Sequence, residues 1–194
     1  MALLLLPAAA QAHLVSSGLG PFYDGALHLL LSPLDLLVLL SVVLLAGQSG
    51  KAPARWTVVI LPIAWGLAWL GAIWVSDGAP EAIPALDALK IGLLTLSGIA
   101  VASGLRVPAP VLAAIAAAVG MICGLGGELA AADPEGRAAA FAGRWTAVLI
   151  LGLLVAALTV SLKRPWMRIA LRVAGSWIAA IGVLTAGWVL QGFA

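Results

Sequence analysis

Charge is what this sequence has least of. Asp, Glu, Lys and Arg together make up only 9% of its 194 residues. A soluble domain needs roughly a quarter charged residues to cover its surface. Most of this chain's surface must therefore face something other than water. Cysteine is also scarce: Cys123 is the single one, so no intramolecular disulfide can form. It lies inside an apolar run, where a small buried or lipid-facing residue is the bland expectation. There is no CxxC pair, no glycine-rich nucleotide loop and no Ser/His/Asp set placed for nucleophilic attack. The glycines from Gly124 to Gly127 sit in an apolar stretch and read as helix packing, not as a phosphate cradle. An enzyme is therefore not expected. Acidic and basic residues nearly balance, at a net charge of +2, and the basic ones fall in short stretches between apolar runs. Nucleic-acid binding is not expected either.

What the chain has in excess is apolar length. Hydrophobic residues make up 63% of it and mean hydropathy is +1.15. Long Leu/Ala/Val runs recur from end to end, each long enough to cross about 30 Å of hydrocarbon. They are unbroken, unlike the short alternating strands of a membrane barrel. The expected fold is all-α: a polytopic integral membrane helix bundle of about six transmembrane helices following an N-terminal signal segment. The six segments are expected over 27–46, 56–75, 85–104, 111–132, 145–162 and 169–193, with Pro62 kinking the second. They form one transmembrane domain over 13–194. Residues 1–12, MALLLLPAAAQA, read as a signal peptide whose Ala10-Gln11-Ala12 is a small-x-small cleavage site.

Loop charge supplies an orientation. Lys51, Arg55, Arg106, Lys163, Arg164, Arg168 and Arg172 fall on one side of the membrane. Lys90, Arg137 and Arg144 fall toward the other, together with Asp77, Glu81, Asp87, Asp133 and Glu135. The excess of basic residues marks the cytoplasmic side. A bacterial-type inner membrane protein with both termini on the outer, periplasmic side is expected. Trp56, Trp74, Trp145 and Trp166 lie near segment ends, as interfacial anchors do. The lipid bilayer is the principal partner; a metal ion, a membrane-protein partner or a second copy of the chain are the others considered.

Ionisable residues within membrane segments are costly, and so are functional candidates. They are Asp24, His28, Asp35 and Glu128, with Asp87 and Lys90 close to a segment end. Asp24, His28 and Asp35 are spaced i, i+4 and i+11. On one continuous helix they would fall within about 40° of each other, giving a carboxylate–imidazole–carboxylate face suited to a divalent transition metal or a proton. The alternative for Asp35 is local. Ser32-Pro33-Leu34-Asp35 reads as a helix start with Ser32 as N-cap, Pro33 at N1 and Asp35 at N3, and a helix broken there would undo the shared face. Glu128, on the outer side after a glycine cluster, could add a ligand from a second helix or simply reach water. Cleavage after Ala12 would expose His13, whose α-amine and imidazole together chelate copper or nickel; otherwise His13 is a polar flank. The metal-site candidates are thus His28, Asp35, Asp24, His13 and Glu128, with no organic cofactor.

The stretch from His13 through Asp35-Leu36-Leu37 resembles the start of the HupE/UreJ family of hydrogenase and urease accessory membrane proteins. That resemblance implies about six helices, a signal-like start and a nickel permease or accessory role, with nickel favoured over copper or cobalt. The family's first-helix motif has the form HPxxGxDH. His28 matches its first His and Asp35 its Asp, at a spacing one residue longer. Ser32-Pro33 stands near the family glycine, and Leu36 replaces the second His. Three readings remain: a divalent-metal permease, an outer-face copper- or nickel-binding accessory protein using His13, and a non-transporting structural subunit of a membrane complex.

Overall fold

The computed structural model describes residues 18–75, 84–125 and 134–192. They form seven helices: α1 Pro21–Leu31, α2 Pro33–Ser49, α3 Lys51–Val75, α4 Pro84–Ser103, α5 Ala109–Leu125, α6 Pro134–Ser161 and α7 Pro165–Leu190. α3, α4, α6 and α7 are each long and apolar enough to cross a membrane, and α1 with α2 forms a fifth, bent span. α5 is an apolar helix of 17 residues ending where the described residues end. The membrane helix bundle expected from the apolar runs is the fold observed.

The bend in the first span follows from its sequence. Pro33 lacks an N–H and its ring disfavours a helical conformation in the residue before it. Ser32 accordingly stands at φ −95°, ψ 88°, and the two half-helices diverge by 73°. Ser32 is the N-cap of α2 and Pro33 its first residue, as the sequence suggested, but the Ser32 hydroxyl makes no capping hydrogen bond. Three other boundaries differ from expectation. The loop expected over 47–55 is reduced to Gly50, whose φ of 128° lets α3 begin at Lys51. α7 begins at Pro165, within the basic loop. α6 begins at Pro134 and so takes in Arg137 and Arg144, which the sequence assigned to an outer loop. Trp145 is consequently not an interfacial anchor. It lies inside the bundle, where its indole N–H donates to the Pro62 carbonyl at 2.8 Å. Trp56 and Trp166 do lie exposed near helix starts.

α2 is the central helix: it touches all the other helices. It is apolar around its circumference, as a helix surrounded by others must be, and Val38, Leu39 and Val42 are fully buried. Around it the helices associate in pairs, α3 with α5, α4 with α7 and α1 with α6. Each pairing rests on small residues. Between membrane helices, lipid offers no hydrophobic driving force, so contact depends on backbones approaching closely. On α5, Gly120 and Gly124 form a GxxxG face against Leu61, Ala64, Trp65 and Ala68 of α3. Gly98 on α4 faces the α7 backbone at Gly175 and Ala179, and Gly175 faces the α4 backbone at Ala102; Gly25 on α1 faces the α6 backbone at Ala140, and Gly143 faces the α1 backbone at Phe22.

The connections at the basic side are tied by side chains. Gln48 donates to the Leu105 carbonyl at 2.9 Å, the Val107 amide donates to the Ser49 hydroxyl at 3.0 Å, and the Arg172 guanidinium donates to the Ala102 carbonyl at 2.8 Å. At mid-depth the Ser97 hydroxyl of α4 donates to Ser41 of α2 at 2.6 Å, and Ser41 donates on to the Val38 carbonyl.

The close approach of α3 and α5 generates a prediction. A Cβ at Gly120 or Gly124 would collide with α3 backbone, whereas one at Gly71 or Gly92 would meet nothing. Gly120→Ala and Gly124→Ala are each expected to destabilise the detergent-solubilised protein by about 1–3 kcal/mol through overpacking. Gly71→Ala is expected to be neutral or stabilising, since alanine is the better helix former. Thermal unfolding of the purified variants checks this; equal midpoints for all three would refute the packing account.

Candidate functional site

Apolar helices place their few charges where they can be compensated. Five of the helices meet in one polar layer. From Asp35 to Ser49, from Lys90 to Ser103, from Ala109 to Cys123 and from Lys51 to Trp65 is in each case 13 or 14 residues. At 1.5 Å per residue each side chain therefore stands about 20 Å from the basic end of its helix. The layer lies in the half of the bundle away from the basic connections.

Asp35 is its centre. One carboxylate oxygen is 2.9 Å from the Lys90 ammonium of α4, and the other is 3.4 Å from the Arg144 guanidinium of α6. All three side chains are buried, at 8%, 6% and 7% exposure. Lys90 also reaches Asp87, one turn nearer the start of α4, at 3.3 Å; the Asp87 side chain is 58% exposed. The Arg144 guanidinium lies over the fully buried Trp65 ring of α3, 5.7 Å from its centroid, within range of a cation–π attraction. Cys123 of α5 lies fully buried beside the same layer. Among the described residues these contacts join two carboxylates to two cations. Beside it, Trp69 of α3 and Phe141 of α6 stack with centroids 3.9 Å apart.

This geometry changes the reading of the first span. Because α1 and α2 diverge by 73°, Asp24, His28 and Asp35 do not share one helix face. Proline at position 33 is the cause. Among the described residues no group of three or more His, Cys, Asp or Glu side chains converges to hold a metal ion. Asp24 and His28 lie half-buried on α1, and each has an interaction partner within the fold. The carboxylate of Asp35 is engaged by two cations rather than by capping. His13, Glu128 and the signal segment over 1–12 lie outside the described residues, as do Asp77, Glu81 and Asp133.

Lys90 stood in the sequence as a residue near a segment end; Arg144 was missed as a site residue. A signal for it existed. An aspartate three residues into an apolar helix requires a compensating cation at similar depth, and only Lys90, Arg137 and Arg144 were assigned to that side. Choosing Arg144 among them required the true start of α6.

Comparison with protein-family models matches residues 1–185 to the one described as HupE / UreJ protein. No curated protein matches the chain, and no solved structure matches it.

The charge layer predicts an order of damage. Asp35→Asn leaves Arg144 and Lys90 buried without the carboxylate they share, a loss expected to cost about 3–5 kcal/mol. Lys90→Gln and Arg144→Gln each leave Asp35 one cation, so each is expected to be milder. Yield of folded protein and its unfolding midpoint in detergent give the measurement. Asp35→Asn proving the mildest of the three would be incompatible with the buried-pair account.

Proposed function

This chain belongs to the HupE/UreJ family of nickel/metal accessory membrane proteins, and on that premise we propose that it is a permease for a divalent transition metal, nickel foremost. The observation that carries the proposal is the broken first span. A half-helix bearing Asp24 and His28 leaves α2 at Ser32, one turn before the buried charge layer. Discontinuous helices are a recurring way for transporters to build an ion path, because broken ends expose polar groups that a continuous helix satisfies internally. Imidazole and carboxylate together suit nickel, copper and zinc. His28 and Asp24 would make the first contact, with His13 and Glu128 as further donors from the outer side. The distribution of basic residues supports an orientation with both termini outside the cell membrane.

The reading separates capture from structure. His28 and Asp24 handle the metal, whereas Asp35 with Lys90 and Arg144 secures the bundle. Nickel accumulation by cells expressing His28→Ala or Asp24→Asn is therefore expected to fall several-fold at unchanged protein level. If both variants accumulate nickel as well as the wild type, and cobalt and copper also, the permease reading is wrong.

A further inference from the structure

α7 is held by one face only. Leu171, Gly175, Ile178 and Gly182 are buried, and Gly175 and Gly182 meet α4 at Ala102 and Thr95. The opposite face is open. Tryptophan recurs on it every eleven residues, at Trp166, Trp177 and Trp188, all three exposed. Eleven residues are three turns and about 20°, so the three rings share one line along the helix. From first to last the line spans about 33 Å, close to the hydrocarbon thickness of a bilayer. Trp166 and Trp188 thus fall at the two interfaces, where an indole keeps its ring in lipid and its N–H in water. Trp177 falls midway and is 69% exposed, where lipid offers no acceptor and an unpaired N–H is costly. Among the described residues its indole has no hydrogen-bond partner. Ile63 of α3 and Ile150 of α6, exposed at similar distances from the basic ends of their helices, are aliphatic.

The acceptor that Trp177 lacks stands beside it. Ser176 is exposed, and its hydroxyl donates to the Arg172 carbonyl at 3.0 Å. That bond uses its one proton and leaves its lone pairs to accept, whereas an indole only donates. The two do not pair within one chain, because adjacent side chains diverge by about 100° around a helix. Ser176, Ala180 and Gly187 form a strip of small residues flanking the tryptophan line, and a Cβ added at Gly187 would meet nothing. The open face therefore carries a knob and a donor on one flank, a groove and an acceptor on the other.

We propose that this face of α7 is a self-association surface: a second copy of the chain docks on it about a two-fold axis normal to the membrane, with Trp177 of each copy against Ser176 and Ala180 of the other. Such an axis brings one flank of each helix to the opposite flank of its mate and preserves height. Donor and acceptor then meet at the same depth, being consecutive residues about 1.5 Å apart along the helix. Symmetry makes the hydrogen bond twice, so both indoles are satisfied at once. The small strip lets the two backbones approach, on which association between helices in lipid depends. An unrelated protein would have to supply an acceptor at that depth; a second copy supplies it by symmetry. The surface belongs to α7 and does not depend on the metal-permease reading.

The test uses full-length chains labelled at the C-terminus with donor or acceptor dye and reconstituted in liposomes, with energy transfer followed as lipid is added. The wild type is expected to associate. Trp177→Phe keeps an aromatic ring but removes the N–H, and is expected to weaken association several-fold. Ser176→Ala is expected to do the same, and the double variant to lose no more than either single one, because both delete one hydrogen bond. Ala180→Leu fills the groove and is expected to abolish association, whereas Leu154→Ala on the exposed face of α6 is expected to leave it unchanged. These side chains are exposed, so unfolding midpoints are expected to stay at the wild-type value. Cross-linking gives a second measurement with Trp177 and Ser176 intact: Ala180→Cys is expected to join two copies on mild oxidation, and Leu96→Cys on α4 is not. A wild type that stays monomeric at every lipid ratio overturns the proposal and leaves the face to lipid or to a different protein. Association that Trp177→Phe and Ala180→Leu leave unchanged, or that Leu154→Ala weakens equally, overturns it as well.

Discussion

The carboxylate of Asp35 sits where a lone charge could not remain. It projects from the central helix into a layer about 20 Å above the basic end of the bundle, at 8% exposure. Taking an ion out of water costs several kcal/mol even after relaxation. Lys90 from α4 and Arg144 from α6 make that position tenable, and they carry the same obligation in return. The three charges therefore constrain more than their own neighbourhood. They fix the height of α4 and α6 against α2, and through Trp65 they draw α3 into the same layer.

Packing supplies what charge does not. Small residues let helix backbones meet, at Gly120 and Gly124 between α3 and α5, at Gly98 and Gly175 between α4 and α7, and at Gly25 and Gly143 between α1 and α6. Such contacts gain van der Waals energy over a wide area but discriminate weakly between neighbouring registers. Ion pairs discriminate strongly, because a slip of one residue turns a side chain through about 100°. The bundle thus uses small residues for proximity and a few buried charges for alignment. Side-chain ties at Gln48, Ser49 and Arg172 hold the basic end, while the polar layer and the broken first span lie in the opposite half. Hydrogen-bonded ties and buried ion pairs thus lie in opposite halves of the bundle.

Membrane class, helix character and most spans were legible in the sequence, because apolar length is a one-dimensional property that the bilayer reads directly. The break at Ser32 was legible for a similarly local reason: Pro33 acts on its immediate neighbour. The start of α6 was not. Arg137 and Arg144 look like loop charges until a carboxylate 109 positions away along the chain is known to face one of them. The same ignorance made Trp145 resemble an interfacial anchor, although its N–H reaches the Pro62 carbonyl across the bundle. For Asp35 the sequence offered metal binding or capping, both judged from neighbours in the chain, and the ion pairs that engage it come from elsewhere.

By itself, then, the sequence determined that the chain is a helical membrane bundle, where most of its spans run and where the first one breaks. Those follow from hydropathy and from proline stereochemistry, which act over a few residues at a time. Only the tertiary structure decided which charges compensate one another, and so separated Asp35 from the face carrying Asp24 and His28. The physical reason is that a buried charge is satisfied by whatever lies close in space. Asp35 and Arg144 are 109 positions apart in the chain, a separation that no local periodicity encodes.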